Sequence, residues 1–280
     1  MPTFDTPAAI SVTARVDAGS IQFTAGDRTD TVVEVRPRSP KRELDVRSAE
    51  QTEIGFANGV LTVRTPKPSL LGRTGVVEVT VDLPAGSHVD MNGSWTQVLG
   101  EGRLGDVRVK VSSGDVRLDE TGPLTLAASH GSITVGRVDG PADISTSSGS
   151  VRVGTLGGAA VLKNSHGATA VEAAHGELRV SGANGDIDIR RAEGSVTATT
   201  AHGTLRVGEV ARGSVHLETA HGAIDIGIRE GTAAWLDVDS GHGAVRNALS
   251  SAGAPTKTED TVKVRARTRY GTIDIRRARA

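Results

Sequence analysis

The chain has no cysteine, which excludes disulfides, thiolate metal sites and cysteine nucleophiles. Aromatic residues make up only 2% of its 280 residues, so no thick core built around rings is available. No run of about 18 apolar residues occurs that could cross a membrane as a helix. The opening "MPTFDTPAAISVTARV" has neither a basic n-region nor an apolar h-region. A cytoplasmic location without membrane insertion is the resulting expectation. Charge of one sign is missing too: 32 Lys and Arg face 33 Asp and Glu, a net charge of −1. A basic footprint for nucleic acid or an anionic membrane is therefore absent.

What the chain does have is glycine, 35 residues of it, at regular intervals. One series runs Gly114, Gly131, Gly149, Gly167, Gly185, Gly203 and Gly222, with steps of 17, 18, 18, 18, 18 and 19 residues. A second runs Gly122, Gly140, Gly158, Gly176, Gly194, Gly213 and Gly231, roughly midway between members of the first. The second and fourth residues after a glycine are apolar, as in Ile133 and Val135, Leu205 and Val207, or Ile224 and Ile226. The residues between them are polar, as in Thr134, Arg206 and Asp225. This is the period-two signature of a short strand with one buried face.

Strands of about five residues cannot bury that face alone, and nonapeptide units leave no room for crossover helices. Coiling once per 18 residues aligns like faces at about 4.8 Å per rung, so each strand pairs in parallel with its successor. The expected fold is all-β, a parallel β-solenoid (β-helix) of about 18 residues per rung. Two glycine corners per turn predict a two-faced coil, and the crossover preference predicts a right-handed one.

Seven of the ten prolines lie at or before Pro84 and none lies between Pro141 and Pro255, which keeps ladder donors intact in the repeat. Longer alternating segments such as "ISVTARV" and "GVVEVTVDLP" predict an N-terminal β-strand cap over 1–84, and "ANGVL" at Asn58–Gly59 a hairpin within it. The solenoid is expected over 85–249, a loop over 250–260, and closing strands over 261–280.

The residue before each first-series glycine is Ser113, His130, Ser148, His166, Asn184, His202 and His221, followed by His242 and Tyr270 at later corners. Five of the eight histidines thus share one corner. Small polar or ring residues that tolerate a turn and hydrogen-bond their neighbours suit such a position. The chemical alternative is a metal or proton-responsive stripe, with the uninterrupted trio His202, His221 and His242 as its candidate metal ligands. Ladder neighbours start about 4.8 Å apart and point in parallel, however, whereas zinc ligands converge at about 2.0 Å.

The segments "GDIDI", "GAIDI" and "GTIDI" place Asp188, Asp225 and Asp274 outward. A carbohydrate-active β-helix enzyme would need two such carboxyls about 5 to 9.5 Å apart. Outward Asp beside outward Arg is also the ordinary look of a solvated strand. The turns lack the paired glycines and aspartate of a calcium roll, and no glycine pair opens a helix as a phosphate loop would. No catalytic residue and no cofactor is indicated. Trp95 and Trp235 are expected to pack at the ends of the stack.

Several segments together carry a family resemblance: "MPTFDTP", "LPAGS", "GDVRLDETGPL", "VLKNSHG", "GEVARGSV", "AAWLDV" with "VRN", and "VRARTRYGTIDIRR". The chain resembles bacterial β-strand-repeat proteins called "putative adhesins", of unknown function and found in actinobacteria among others. The likeness spans nearly the whole chain and transfers no catalytic residue. It implies a non-enzymatic interaction or scaffold protein with a protein or glycan partner and an open oligomeric state. The alternatives are the carbohydrate-active enzyme and a histidine-ladder metal-binding protein.

Overall fold

Alternating apolar residues are buried in every repeat: Val116, Ile133, Ile144, Leu178, Leu205 and Ile224 are all fully enclosed. A computed structural model describes residues 1–66, 74–249 and 260–278. The loop expected over 250–260 lies, except for Asp260, outside the described residues. The chain divides into two compact units, Met1–Gly140 and Pro141–Ala280.

The first unit contains β1 (Thr3–Asp5), β2 (Ser11–Gly26), β3 (Asp30–Pro37), α1 (Glu43–Glu50), β4 (Glu53–Ala57) and β5 (Val60–Arg64). It continues with β6 (Val77–Pro84), β7 (His88–Leu104), β8 (Val107–Ser113), β9 (Val116–Thr121), β10 (Leu124–His130) and β11 (Ile133–Val138). Strand β7 is long enough to pair with β8 through Val89–Trp95 and with β9 through Val98–Leu104, in parallel. Strands β10 and β11 continue these two columns on β8 and β9. Strand β2 lies within the parallel stack, with β7 on one edge and β5 and β6 on the other. Beyond them the pairing turns antiparallel, β3 on β6 and β4 on β5. Antiparallel strands interrupt the parallel stacking direction, which limits templating of further rungs.

The hairpin expected at Asn58–Gly59 is present, with φ of 52° and 74° at its two turn residues. Helix α1 has no counterpart in the sequence reading. Its single exposed turn pair, Arg47 to Glu43 at 2.7 Å, gives little local support. The buried Asp45 carboxylate accepts the Val76 backbone N–H at 2.9 Å, so tertiary contact holds the helix.

The second unit is made of rung pairs. One column holds β12 (Ala142–Ser148), β14 (Ala160–His166), β16 (Leu178–Asn184), β18 (Val196–His202), β20 (Gly213–His221), β22 (Ala233–His242) and β24 (Thr261–Tyr270). The other holds β13 (Val151–Leu156), β15 (Thr169–Ala174), β17 (Ile187–Ala192), β19 (Leu205–Val210), β21 (Ile224–Ile228), β23 (Val245–Asn247) and β25 (Ile273–Arg277). Pairing is parallel throughout and follows the eighteen-residue repeat, so that Ile187, Leu205 and Ile224 are successive register partners.

Sequence order breaks in one place. Strand β24 pairs with β20 on one edge and β22 on the other, and β25 likewise stands between β21 and β23. The closing strands expected at the open end are thus inserted one rung inside it. Burial explains the choice. Val262, Val264 and Ala266 of β24 are buried and need cover on both sides, whereas Ala234, Leu236 and Val238 of β22 are only half-buried. Arg267 fastens the outer strand by donating to the Asp237 backbone carbonyl at 2.8 Å and to its carboxylate.

Two expected outcomes test this stacking. Gly185 has φ 144°, and a Cβ there would collide with the carbonyl oxygen of Gly167 on the preceding rung. Gly185→Ala should lose roughly 3 kcal/mol, combining backbone strain with overpacking, measured as a lower urea midpoint. The Asp237 carboxyl is held below its ordinary range first by the hydrogen bond from Arg267, with desolvation opposing and the charges of Arg267 and Arg265 adding. A lowered carboxylate contributes stability above its unfolded value near about 4, and that contribution is lost as pH falls through the folded value. Asp237→Asn should therefore speed hydrogen exchange in β22 at pH 7, and the difference from the parent should close under strongly acid conditions.

Candidate functional site

The corner before the glycine carries one continuous register in the second unit: Ser148, His166, Asn184, His202, His221, Tyr270 and His242. Backbone bonds fix this corner. Gly185 N–H donates to the His202 carbonyl at 2.9 Å, Gly203 to His221 at 2.9 Å, Gly222 to Tyr270 at 3.0 Å and Gly271 to His242 at 3.2 Å.

A second row supports it from inside. The residue three before the glycine is a buried hydroxyl or amide in most rungs: Thr146, Asn164, Thr200, Thr219 and Thr268. Asn164 Nδ2 donates to the carbonyls of Gly149 and Gly167, both at 3.0 Å. Thr219 donates to Gly203 at 3.2 Å, Thr268 to Gly222 at 3.0 Å and Ser240 to Gly271 at 2.8 Å. Inward carbonyls at the turn would otherwise be buried without donors, a loss of about 1 to 3 kcal/mol each. The sequence reading missed this row because a polar residue in a strand defaults to the solvent face. Its signal was present as the fixed spacing to the glycine.

On the solvent side four rings stack. Centroids of His202 and His221 are 4.7 Å apart at 15°, those of His221 and Tyr270 5.0 Å at 11°, and those of His242 and Tyr270 4.8 Å at 12°. All four residues are exposed. Tyr270 separates His221 from His242, so the trio read from sequence as uninterrupted is interrupted. Parallel planes carry the imidazole nitrogens side by side rather than toward one point, unlike the convergent donors of a metal site. Among the described residues no group of three or more His, Cys, Asp or Glu is placed to hold a metal ion. His130 falls at the same corner of the first unit, in register with Ser113 and, beyond it, Trp95.

The carboxylates form a different pattern. Asp188, Arg206, Asp225, Asp274 and Arg246 are consecutive outward neighbours across five strands. Arg206 lies 3.4 Å from Asp188 and 3.7 Å from Asp225, Arg276 3.0 Å from Asp225, and Arg246 3.8 Å from Asp274. Arg206 stands between Asp188 and Asp225, whereas Asp225 and Asp274 are adjacent carboxylates, each held by its own guanidinium, Arg276 and Arg246, so neither is a free acid of the kind a hydrolase keeps across its substrate. This row is an ion-pair ladder of a non-catalytic surface. Trp95 and Trp235, expected to pack, are instead 73% and 71% exposed.

If the rings couple through stacking, a double-mutant cycle on His221→Ser and Tyr270→Ser should return an interaction of about 0.5 to 1 kcal/mol, read from urea unfolding. Serine is the natural occupant of this corner at Ser113 and Ser148, so the variants keep the turn.

No curated protein matches the chain. Solved structures do, along nearly its whole length. A putative adhesin from Bacteroides fragilis is 15% identical, with 98% of this chain and 95% of that one covered and a TM-score of 0.35. A putative lipid binding protein from Parabacteroides distasonis is 11% identical, covering 98% and 95%, with a TM-score of 0.43. A putative adhesin from Parabacteroides merdae is 14% identical, covering 98% and 94%, with a TM-score of 0.44. These sources are not actinobacterial. The cytoplasmic expectation is corrected here: it rested on the lack of a leader-like segment and of an apolar span, and neither lack fixes a compartment, while the structures matched include proteins named as adhesins. Among the described residues no helix is long and apolar enough to cross a membrane, which says nothing about compartment. The pattern of the Toastrack DUF4097 family spans residues 12–276, and the chain belongs to that family.

Proposed function

We propose that this protein is an interaction module that presents rows of fixed side chains to a protein or glycan partner. The observation that carries this reading is the exposed stack of His202, His221, Tyr270 and His242 on a corner whose backbone is tied rung to rung. Rings already ordered by their neighbours lose little further freedom on contact, so more of the contact energy is realised as affinity. Aromatic faces and edges that remain in water while held in register favour recognition over core packing. The coil is read as right-handed and two-faced, with β12 to β24 of one column forming one face and β13 to β25 of the other its opposite, in keeping with the preferred crossover.

The expected outcome is that the purified protein binds isolated bacterial cell envelopes and that the combined variant His202→Ser, His221→Ser, Tyr270→Ser and His242→Ser binds at least tenfold more weakly while it keeps the parent's far-UV circular dichroism and a cooperative melt, lowered by a few degrees through the lost stacking. Surface plasmon resonance on immobilised envelope fractions measures this. Equal binding by a folded variant would remove the ring stack from the account.

A further inference from the structure

The first unit contains a cleft of about 490 Å³ whose lining includes Arg15, Arg64, Lys110, Asn92, Asp17 and Ser94. That volume lies within the range of small-ligand sites, about 300 to 1,000 Å³. Its cations share one outward row: Arg64 of β5 is in register with Arg15 of β2, Arg15 with Asn92 of β7, and Asn92 with Lys110 of β8. Neighbouring strands stand about 4.8 Å apart, so Arg64 and Arg15 are like charges side by side. Glu53 of β4 is in register with Arg64 on its other edge. Among the described residues, however, neither Arg64 nor Lys110 forms an ion pair, and Arg15 pairs only with Asp17. In the Asp188 to Arg246 row of the second unit every outward charge is paired, Arg206 with Asp188 and Asp225, Arg276 with Asp225 and Arg246 with Asp274, even though Asp225 and Asp274 are themselves neighbours. Here three cations face one carboxylate.

That carboxylate is unusual in turn. Asp17 is 4% exposed, at the floor of the cleft. Arg15 Nε and Nη2 donate to its two oxygens at 3.4 Å each, and Ser94 Oγ donates at 3.2 Å. All three are long against the usual spacing of about 2.7 to 3.0 Å, so a buried acceptor retains unused capacity for a donor. One residue beyond Ser94 stands Trp95, 73% exposed.

We infer that the cleft binds an acidic saccharide, a hexuronate unit of a longer glycan. The three requirements of such a ligand are met separately. Arg15, Arg64 and Lys110 supply charge-assisted donors for its carboxylate. Asp17, with Asn92 and Ser94, accepts from and donates to ring hydroxyls. The exposed indole of Trp95 offers an apolar face to the C–H side of an adjoining sugar. A bare phosphate or sulfate would meet the Asp17 carboxylate with no hydroxyl to satisfy it. A nucleic acid would want a run of phosphate contacts and stacking rings, which this row does not provide. The inference rests on the reading of the chain as an interaction module and names a ligand class for it.

The test is isothermal titration calorimetry of the full chain with trigalacturonic acid, its trimethyl ester and maltotriose. Trigalacturonic acid should bind, the ester and maltotriose at least tenfold more weakly. The double variant Arg15→Gln and Lys110→Gln should lose at least tenfold in affinity, and Trp95→Ala several-fold. His202→Ser, at the ring stack, should leave the affinity unchanged. No binding of trigalacturonic acid, equal binding of its ester, or an unaltered affinity in both the double variant and Trp95→Ala would overturn the inference. If the parent protein still binds cell envelopes in any of those cases, this ligand fails and the interaction reading stands. If envelope binding is absent as well, both fail.

Discussion

The stack depends on one contact that admits no side chain. From Gly131 onward a corner glycine sits directly against the carbonyl of the corner glycine on the neighbouring rung, as Gly203 does against Gly185 and Gly185 against Gly167, and Gly114 sits in the same way against Thr96. A Cβ at any of these places would occupy the space of a backbone oxygen. Because the approach is this close, the ladder bonds on either side of the corner keep their length, and successive strands stay in register. The repeat of about eighteen residues is the sequence trace of that steric condition, with the period-two alternation following from the strands it connects.

Register fixed in this way propagates outward and inward from the corner. Inward, the hydroxyls of Thr219 and Thr268 and the amide of Asn164 reach turn carbonyls that face away from water. Outward, the residue before the glycine is stacked on its equivalents, and where those residues carry rings the rings stack too. Along the strands, the same alignment sets Arg206 between Asp188 and Asp225 and Arg246 beside Asp274, so that all three outward aspartates are in ion pairs. In the cleft of the first unit Arg64, Arg15 and Lys110 share one row with a single lining carboxylate, the buried Asp17.

The repeat, its corners and its buried positions were legible because glycine spacing and alternation are local properties. His202 and His221 were placed as rung neighbours by the same count. The order of the last rungs was not legible. "AAWLDV" and "VKVRAR" have equivalent alternation, and only the cover available on each edge decides that β24 goes inside β22. Trp95 escaped the ladder count because Thr96, not glycine, follows it. The Thr96 hydroxyl instead donates to the Val16 carbonyl at 2.5 Å, and the indole, expected to pack at an end of the stack, stays exposed. The cleft draws residues from β2, β5, β7 and β8, far apart along the chain, and no local pattern joins them.

In each unit a segment is held between rungs that are not its sequence neighbours, β2 between β5 with β6 and β7, and β24 with β25 between β20 with β21 and β22 with β23. Releasing such a segment breaks ladders on both of its edges at once, which ties the ring stack to the integrity of the second unit. The strand order is therefore the claim on which the stack depends. Because the chain has no cysteine, engineered pairs report it cleanly. His216 and Arg265 are register partners, whereas His216 and Asp237 are separated by β24. Mild oxidation followed by mass mapping should link the pair His216→Cys and Arg265→Cys and leave the pair His216→Cys and Asp237→Cys unlinked, since a disulfide spans Cα atoms only about 4.4 to 6.8 Å apart. Efficient closure of the second pair and failure of the first would place β22 directly on β20 and contradict the account.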